Sequence, residues 1–385
     1  MSKKYILSIF FGALFFASAC TTNPLLEGLE PPPSSTLIPK RSNASDSSIE
    51  DVGAQVIDRS ELTCQDEELH CIGVVINSGL FEDKSFNQST WEGAKRAEGD
   101  LAAYVEYIEA ETSFSSDEHI GHFVERGFDV IVTVGFNWSE LTNEAARAYP
   151  DVSFIGVDQF QPEEIENVSG LIFPERDAGF LAGALAAIIS ETGTVAAVLG
   201  TDKIPPVVSF REGFEAGAYA LNPEIEILIA HHPGEILKSF SDPEWGAETA
   251  RDMLDQGADV IFGAGGLTGN GALIETASQS NTYCIGVDVD QWPILPDAQP
   301  CLVSSAMKQI SNGVFELIAR SMIGDIPAGN FNGDVKLAPF HAFEDLISAE
   351  ANAILNELRD GLAAGEIPND GTYIYPNPPT NSADQ

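Results

Sequence analysis

The sequence predicts an α/β protein of two lobes, each built on a parallel sheet with helices on both faces. Short apolar runs alternate with helix-period segments along most of the chain, which is the pattern of parallel strands joined by crossover helices. The alternation begins near residue 71 and restarts near residue 177, giving two series. A length of 385 residues with 44% hydrophobic side chains is enough for two ordinary domains.

The elements follow in order. Lys3 and Lys4 precede an apolar run, Tyr5 to Ala19, that ends in Ala17-Ser18-Ala19-Cys20. A basic start, a short apolar core and small residues form a secretory signal, assigned to residues 1–19. The run is short for a membrane span. Small residues directly before a cysteine resemble a bacterial lipobox, which makes Cys20 the lipidated first residue of the exported chain. Ala17 replaces the usual Leu, and plain cleavage near Ala19 without lipid is the alternative. Residues 20–66 contain Pro31-Pro32-Pro33 and a Ser/Asn/Asp-rich run, with few large apolar groups. They are expected to form a flexible linker, about 35–40 Å in root-mean-square span. Residues 376–385 are expected to be a disordered tail.

In the body, Cys71-Ile72-Gly73-Val74-Val75-Ile76 reads as a buried strand and Ser89 to Asp100 as a helix. Val130 to Val134 is a strand, Ser139 to Tyr149 a helix, and Val152 to Val157 a strand. The second series gives helix 177–190, strand 194–199, helix 207–221, strand 225–230, helix 244–256, strand 259–263, helix 269–280 and strand 283–287. Right-handed crossovers bring the loops after the strands to one edge, where open sheets bind ligands.

Charge and cysteines narrow the function. With 59 acidic and 19 basic residues the net charge is −40, which repels phosphate backbones and argues against nucleic-acid binding. The acidity reads as a solubility device and does not by itself establish a cationic ligand. After Cys20, four cysteines remain. An even number in an exported chain suggests disulfides, and of three possible pairings the nearest-neighbour one, Cys64–Cys71 and Cys284–Cys301, closes two short loops. No CxxC or HxxxH spacing supports a metal, and the adjacent His231 and His232 would point to opposite faces of a strand.

The loops after the strands hold the candidate binding residues. Phe86 stands in Ser85-Phe86-Asn87-Gln88, either as a hydrophobic staple of the following helix or as a stacking ring beside amides. Phe210 is either core or a second ring. Asp288 is either a turn residue or the acceptor of a vicinal diol. Lys308 is either a surface lysine or the partner of such a carboxylate. Gly263-x-Gly265-x-x-x-Gly269 follows a strand and opens a helix, with Asp288 nineteen residues on. It imitates a dinucleotide fingerprint but departs from GxGxxG, so Gly265 reads instead as a site of close backbone approach to a neutral ligand. No GxSxG, HExxH or Cys–His arrangement marks an enzyme, and nothing implies a cofactor.

The stretch Asp83-Lys84-Ser85-Phe86-Asn87-Gln88-Ser89-Thr90-Trp91-Glu92-Gly93 closely resembles the N-terminal motif of the basic membrane lipoprotein family of ABC substrate-binding proteins, the purine-nucleoside receptor-like proteins. The resemblance continues in Phe180-Leu181-Ala182-Gly183, in Phe210-Arg211-Glu212-Gly213-Phe214-Glu215-Ala216-Gly217, in Gly286-Val287-Asp288-Val289-Asp290-Gln291 and in Ser305-Ala306-Met307-Lys308, and spans about residues 70–347. It implies a class I periplasmic-binding-protein fold: two Rossmann-like lobes, a three-strand hinge and a central cleft that closes on its ligand. The N-terminal lobe is expected at 67–172 and 288–326, the C-terminal lobe at 173–287 and 327–375. The resemblance implies that Phe86 and Phe210 stack the base, that Asn87 contacts it, that Asp288 takes the ribose diol, and that Gly265 and Lys308 line the cleft. Two departures bear on base choice. Asn77 stands where relatives usually carry Asp, and in Gly135-Phe136-Asn137-Trp138-Ser139-Glu140 the usual Asp is Glu140, while Trp138 is an added ring. The expectation is a monomeric nucleoside-binding lipoprotein that serves an ABC permease and its ATPase from outside the membrane. A binding protein for another polar solute, or one feeding a sensor, is the other reading.

Overall fold

The computed structural model describes residues 63–66, 68–76, 81–109 and 116–376. The expected signal, the Cys20 lipid site, nearly all of the linker, nearly all of the tail, and Asn77 lie outside these residues.

The first sheet contains β1 (Cys71–Ile76), β2 (Tyr104–Glu109), β3 (Val130–Val134), β4 (Ser153–Val157) and β5 (Val168–Ile172). Between them run α1 (Phe86–Leu101), α2 (Ser116–Glu125) and α3 (Ser139–Ala148). The second sheet contains β6 (Thr194–Leu199), β7 (Glu226–His231), β8 (Val260–Ala264), β9 (Tyr283–Asp288) and β10 (Leu302–Lys308). Around it lie α4 (Glu175–Ile189), α5 (Pro205–Leu221), α6 (Ile236–Ser239), α7 (Pro243–Asp255) and α8 (Gly266–Ala277). The chain then returns through α9 (Ile310–Met322), β11 (Gly329–Asn332), β12 (Val335–Leu337) and α10 (Ala349–Ala363).

The strand orders are β2-β1-β3-β4-β5-β11 and β7-β6-β8-β9-β10-β12, so the two sheets repeat one plan. All pairings are parallel except β10 with β12. Strands β1, β3 and β6 are buried along their whole length, as parallel strands covered on both faces must be, which is why they read as unbroken apolar runs. The order reverses between β1 and β3, and again between β6 and β8. At those switch points the loops leave in opposite directions and open a crevice at the strands' C-terminal ends.

Three segments pass between the sheets: Phe173-Pro174 after β5, Gln309 after β10, and Gly333-Asp334 between β11 and β12. The second passage corrects the expected boundary at 288. β9 and β10 both pair within the second sheet, and only from α9 does the chain rejoin the first. The third passage likewise falls at 333 rather than 327, because β11 pairs with β5.

Helices α4 and α5 meet backbone to backbone. A Cβ at Gly183 or Gly217 would collide with the carbonyls of Phe214 or Phe180. These glycines therefore set the depth at which α5, and Phe210 on it, sits. At the other lobe Gly93 brings α1 against Ser311 and Val314 of α9. The structure joins Cys64 to Cys71 and Cys284 to Cys301, each pair staying within one lobe at a strand end.

Candidate ligand-binding site

Residues after the strand ends of both sheets line one cavity. The first lobe contributes Asp83, Phe86, Asn87, Val134 to Asn137 and Asp158; the second contributes Ile204, Pro206, Val207, Phe210, Phe240, Ala264 to Gly266, Val287, Asp288 and Lys308. It encloses about 820 Å³ of atom-free space, part of it open to solvent.

The loop before α1 is held by Asp83. Its carboxylate accepts from the backbone N–H groups of Ser85 and Asn87 at 2.9 Å and of Gln88 at 3.2 Å, satisfying donors that the first helical turn leaves unpaired. Burial pushes Asp83 up to about 7, against the pull of those three donors, and the charge of Asp288 adds to the rise. The Ser85 hydroxyl donates to Asp288 Oδ2 at 2.6 Å across the cleft. Asp288, buried at the cavity wall, is raised by desolvation; Lys308 and Ser85 oppose the shift and Asp158 adds to it.

Lys308, at the end of β10, is only 2% exposed in its side chain. Its ammonium lies 2.5 Å from Asp158 of the first lobe and 3.4 Å from Glu175 of the second. Burial works against the charged amine, but Asp158, Glu175 and Asp288 outweigh it and hold its pKa above the ordinary lysine value. Burial lifts Glu175 to about 7, although Lys308 pulls it down. The same ammonium stands 4.9 Å from the Phe86 ring centre and 5.9 Å from that of Phe210, so one cation is held beside a ring of each lobe. Lys84, Asp158 and Asp288 all have positive φ, at 57°, 58° and 65°. Non-glycine residues in that region carry backbone strain, which tends to gather at ligand sites.

Of the residues expected from the sequence, Phe86, Asn87, Phe210, Gly265, Asp288 and Lys308 come together around this cavity. Trp138 does not. It is 1% exposed and packed in the first lobe's core with Phe123, Ile131 and Phe154. The short 3₁₀ turn Phe136–Trp138 sends residues two apart to different sides, and Phe136 is the one that reaches the cavity. Glu140 is exposed on α3 and lies away from the cavity lining. Asp83 and Asp158 were not singled out, though each directly follows a strand or its loop, the position that marked the others.

Two α/β lobes with one cavity at the strand ends of both sheets define the class I periplasmic-binding-protein fold. Solved structures share it: an ABC transporter solute-binding protein from Aeropyrum pernix superposes with a TM-score of 0.70 at 24% identity, covering 78% of this chain and 92% of that one. A second from Conexibacter woesei gives 0.65 at 24% identity, covering 78% and 99%. Residues 71–332 match the family described as ABC transporter substrate-binding protein PnrA-like, and the chain belongs to that family. Among similar proteins, the CD4+ T-cell-stimulating antigen of Listeria monocytogenes is 27% identical over 77% of this chain and 87% of its own. Basic membrane protein A of Borreliella burgdorferi is 32% identical over 64% and 70%. The ABC transporter nucleoside-binding protein BmpA of Lactococcus lactis is 26% identical over 73% and 84%. Among the described residues no helix is long and apolar enough to cross a membrane.

Proposed function

We propose that this substrate-binding protein holds a nucleoside, with a purine as the favoured base, and delivers it to an ABC importer from outside the membrane. The observation that carries the reading is the pair Phe86 and Phe210: one ring from each lobe lines the same cavity, beside the carboxylate of Asp288. A flat base between two rings gains stacking area, and its ribose diol offers two donors to Asp288, which still has free lone pairs beside the one taken by Ser85. The lining charge favours a neutral ligand. Asp158, Glu175 and Asp288 surround a single ammonium that is already paired, and Asp83 adds another carboxyl to the lining, so a phosphorylated nucleotide would meet net repulsion. Asn87 and Asn137 supply amides for the base edge. Asn77, outside the described residues, stays part of this proposal as a determinant of base choice, and Cys20 as the lipid anchor. The protein acts as a monomer, performs no chemistry, and presents its closed form to the permease while the ATPase works on the far side.

Isothermal titration of residues 60–385 against adenosine, guanosine, inosine, uridine, cytidine and 2′-deoxyadenosine tests the reading. Binding of a ribonucleoside is expected, weakened roughly 5- to 100-fold by Phe86→Ala, as loss of one stacking ring implies. Asp288→Ala and removal of the 2′-hydroxyl should each weaken it by a factor corresponding to about 1–3 kcal/mol. No heat with any nucleoside, from folded protein free of bound ligand, would refute it.

A further inference from the structure

Gln291 ends the Gly286-Val287-Asp288-Val289-Asp290-Gln291 motif, yet it lies outside the cavity lining and is fully buried. Its amide is committed on every side. Oε1 accepts from Val287 N–H at 3.0 Å, within its own lobe. Nε2 donates to Asn270 Oδ1 at 2.8 Å and, across the lobes, to the carbonyl of Lys84 at 2.9 Å. Asn270, on α8, donates across the lobes in turn, to the carbonyl of Asp83 at 2.8 Å. Two joined amides of the second lobe thus grip two successive carbonyls of the first.

Both sides are shaped for this grip. Lys84 has φ of 57°, in the left-handed region, which turns the chain at the gripped carbonyls. The Asp83 side chain fixes that loop from within its own lobe. On the other side, a Cβ at Gly286 would strike Gln291 Oε1, so the glycine makes room for the amide.

We infer that Asn270 and Gln291 form a latch that closes the lobes through protein atoms alone and sets the ratio of closed to open protein independently of what the cavity holds. In this role they are positioning residues: they touch no ligand, and ligand affinity depends on them because only the closed form buries the ligand on both sides. The latch itself does not require the ligand to be a nucleoside, although its effect on nucleoside release rests on that reading.

Gln291→Glu is the discriminating variant. It keeps the acceptor for Val287 N–H but removes the donor to Lys84 and sets oxygen against oxygen. Asn270→Asp does the same to the Asp83 carbonyl and keeps the acceptor for Gln291. Spin labels at Tyr149→Cys and Tyr219→Cys, exposed positions of the first and second lobe, report the interlobe distance. Without ligand, the parent, with its latch intact, should show a measurable short-distance population, and each variant should lower the closed-to-open ratio roughly 3- to 30-fold with far-ultraviolet dichroism unchanged. With adenosine as probe, the dissociation rate should rise by a similar factor and the association rate should hold. A parent population that is wholly open without ligand, or variants that close as often as the parent, would overturn the latch. If adenosine fails to bind the parent, the nucleoside reading falls, and the ligand-free distances still decide the latch.

Discussion

Lys308→Met tests how the hinge region handles charge. The stem and volume are nearly kept, so little is lost from packing. What disappears is an ammonium with a 2% exposed side chain, 2.5 Å from Asp158 and 3.4 Å from Glu175. Removing one partner of a buried pair leaves the others uncompensated, at about 3–5 kcal/mol. At the lower end of the usual conversion, about 2 °C per kcal/mol for a body this large, the melting temperature at pH 8 should fall by roughly 6–10 °C. The loss should depend on pH. Glu175 and Asp288 are raised by burial and lowered by Lys308, so both rise further in the variant. A carboxylate whose folded pKa exceeds its unfolded value stabilises below the unfolded value and loses that contribution as pH rises. The deficit should therefore shrink at pH 5, to under about 2 kcal/mol, as the orphaned carboxylates take protons. Calorimetry and urea unfolding of both proteins at pH 5 and 8 measure it. A deficit below about 1 kcal/mol at pH 8, or an equal one at both values, would refute the charge account.

The same sign applies to the parent protein at Asp83, whose carboxyl is raised to about 7 by burial. Its contribution is present below the ordinary aspartate value near 4 and is lost as pH climbs to about 7, so Asp83→Asn should flatten the fall in urea midpoint across that window. Gly217→Ala should destabilise by about 1–3 kcal/mol and shift Phe210 with α5, whereas Gly99→Ala, an exposed helix position with open space around it, should stabilise by about 0.5–1 kcal/mol; thermal melts compare them.

Most of the doubly wound plan was legible because β1, β3 and β6 are buried on both faces and so spell continuous apolar runs. β2 escaped notice for the opposite reason: it is an edge strand on which only Val105 is buried, with Tyr104, Tyr107 and Glu109 exposed and Glu106 and Ile108 half-buried. β11, Gly-Asn-Phe-Asn, carries a single apolar residue, Phe331, too little for a strand pattern; its place is decided by pairing with β5. Lobe membership of β10 was misjudged because local sequence says nothing about which sheet a strand joins. At the cavity, Phe86, Phe210, Asp288 and Lys308 were legible through their motifs. Trp138, expected at the ligand, packs in the core while Phe136 lines the cavity, because residue type cannot give the phase of a 3₁₀ turn. Asp158 drew no attention among 59 acidic residues, since only the fold sets it against Lys308.

The three passages between sheets also govern the order in which the protein can be built. The first lobe lacks α9, its partner for α1, and its edge strand β11 until residue 332 has emerged, and the second lacks β12 until 337 and α10 until 363. Neither half can finish folding before those late elements are available, although α1 to β5 are complete more than a hundred residues earlier. A ribosome-bound chain ending at residue 308 would carry a first sheet with one open edge and α1 uncovered. The last step of folding should therefore be the docking of the late segment 309–363, which completes the first lobe through α9 and β11 and the second through β12 and α10.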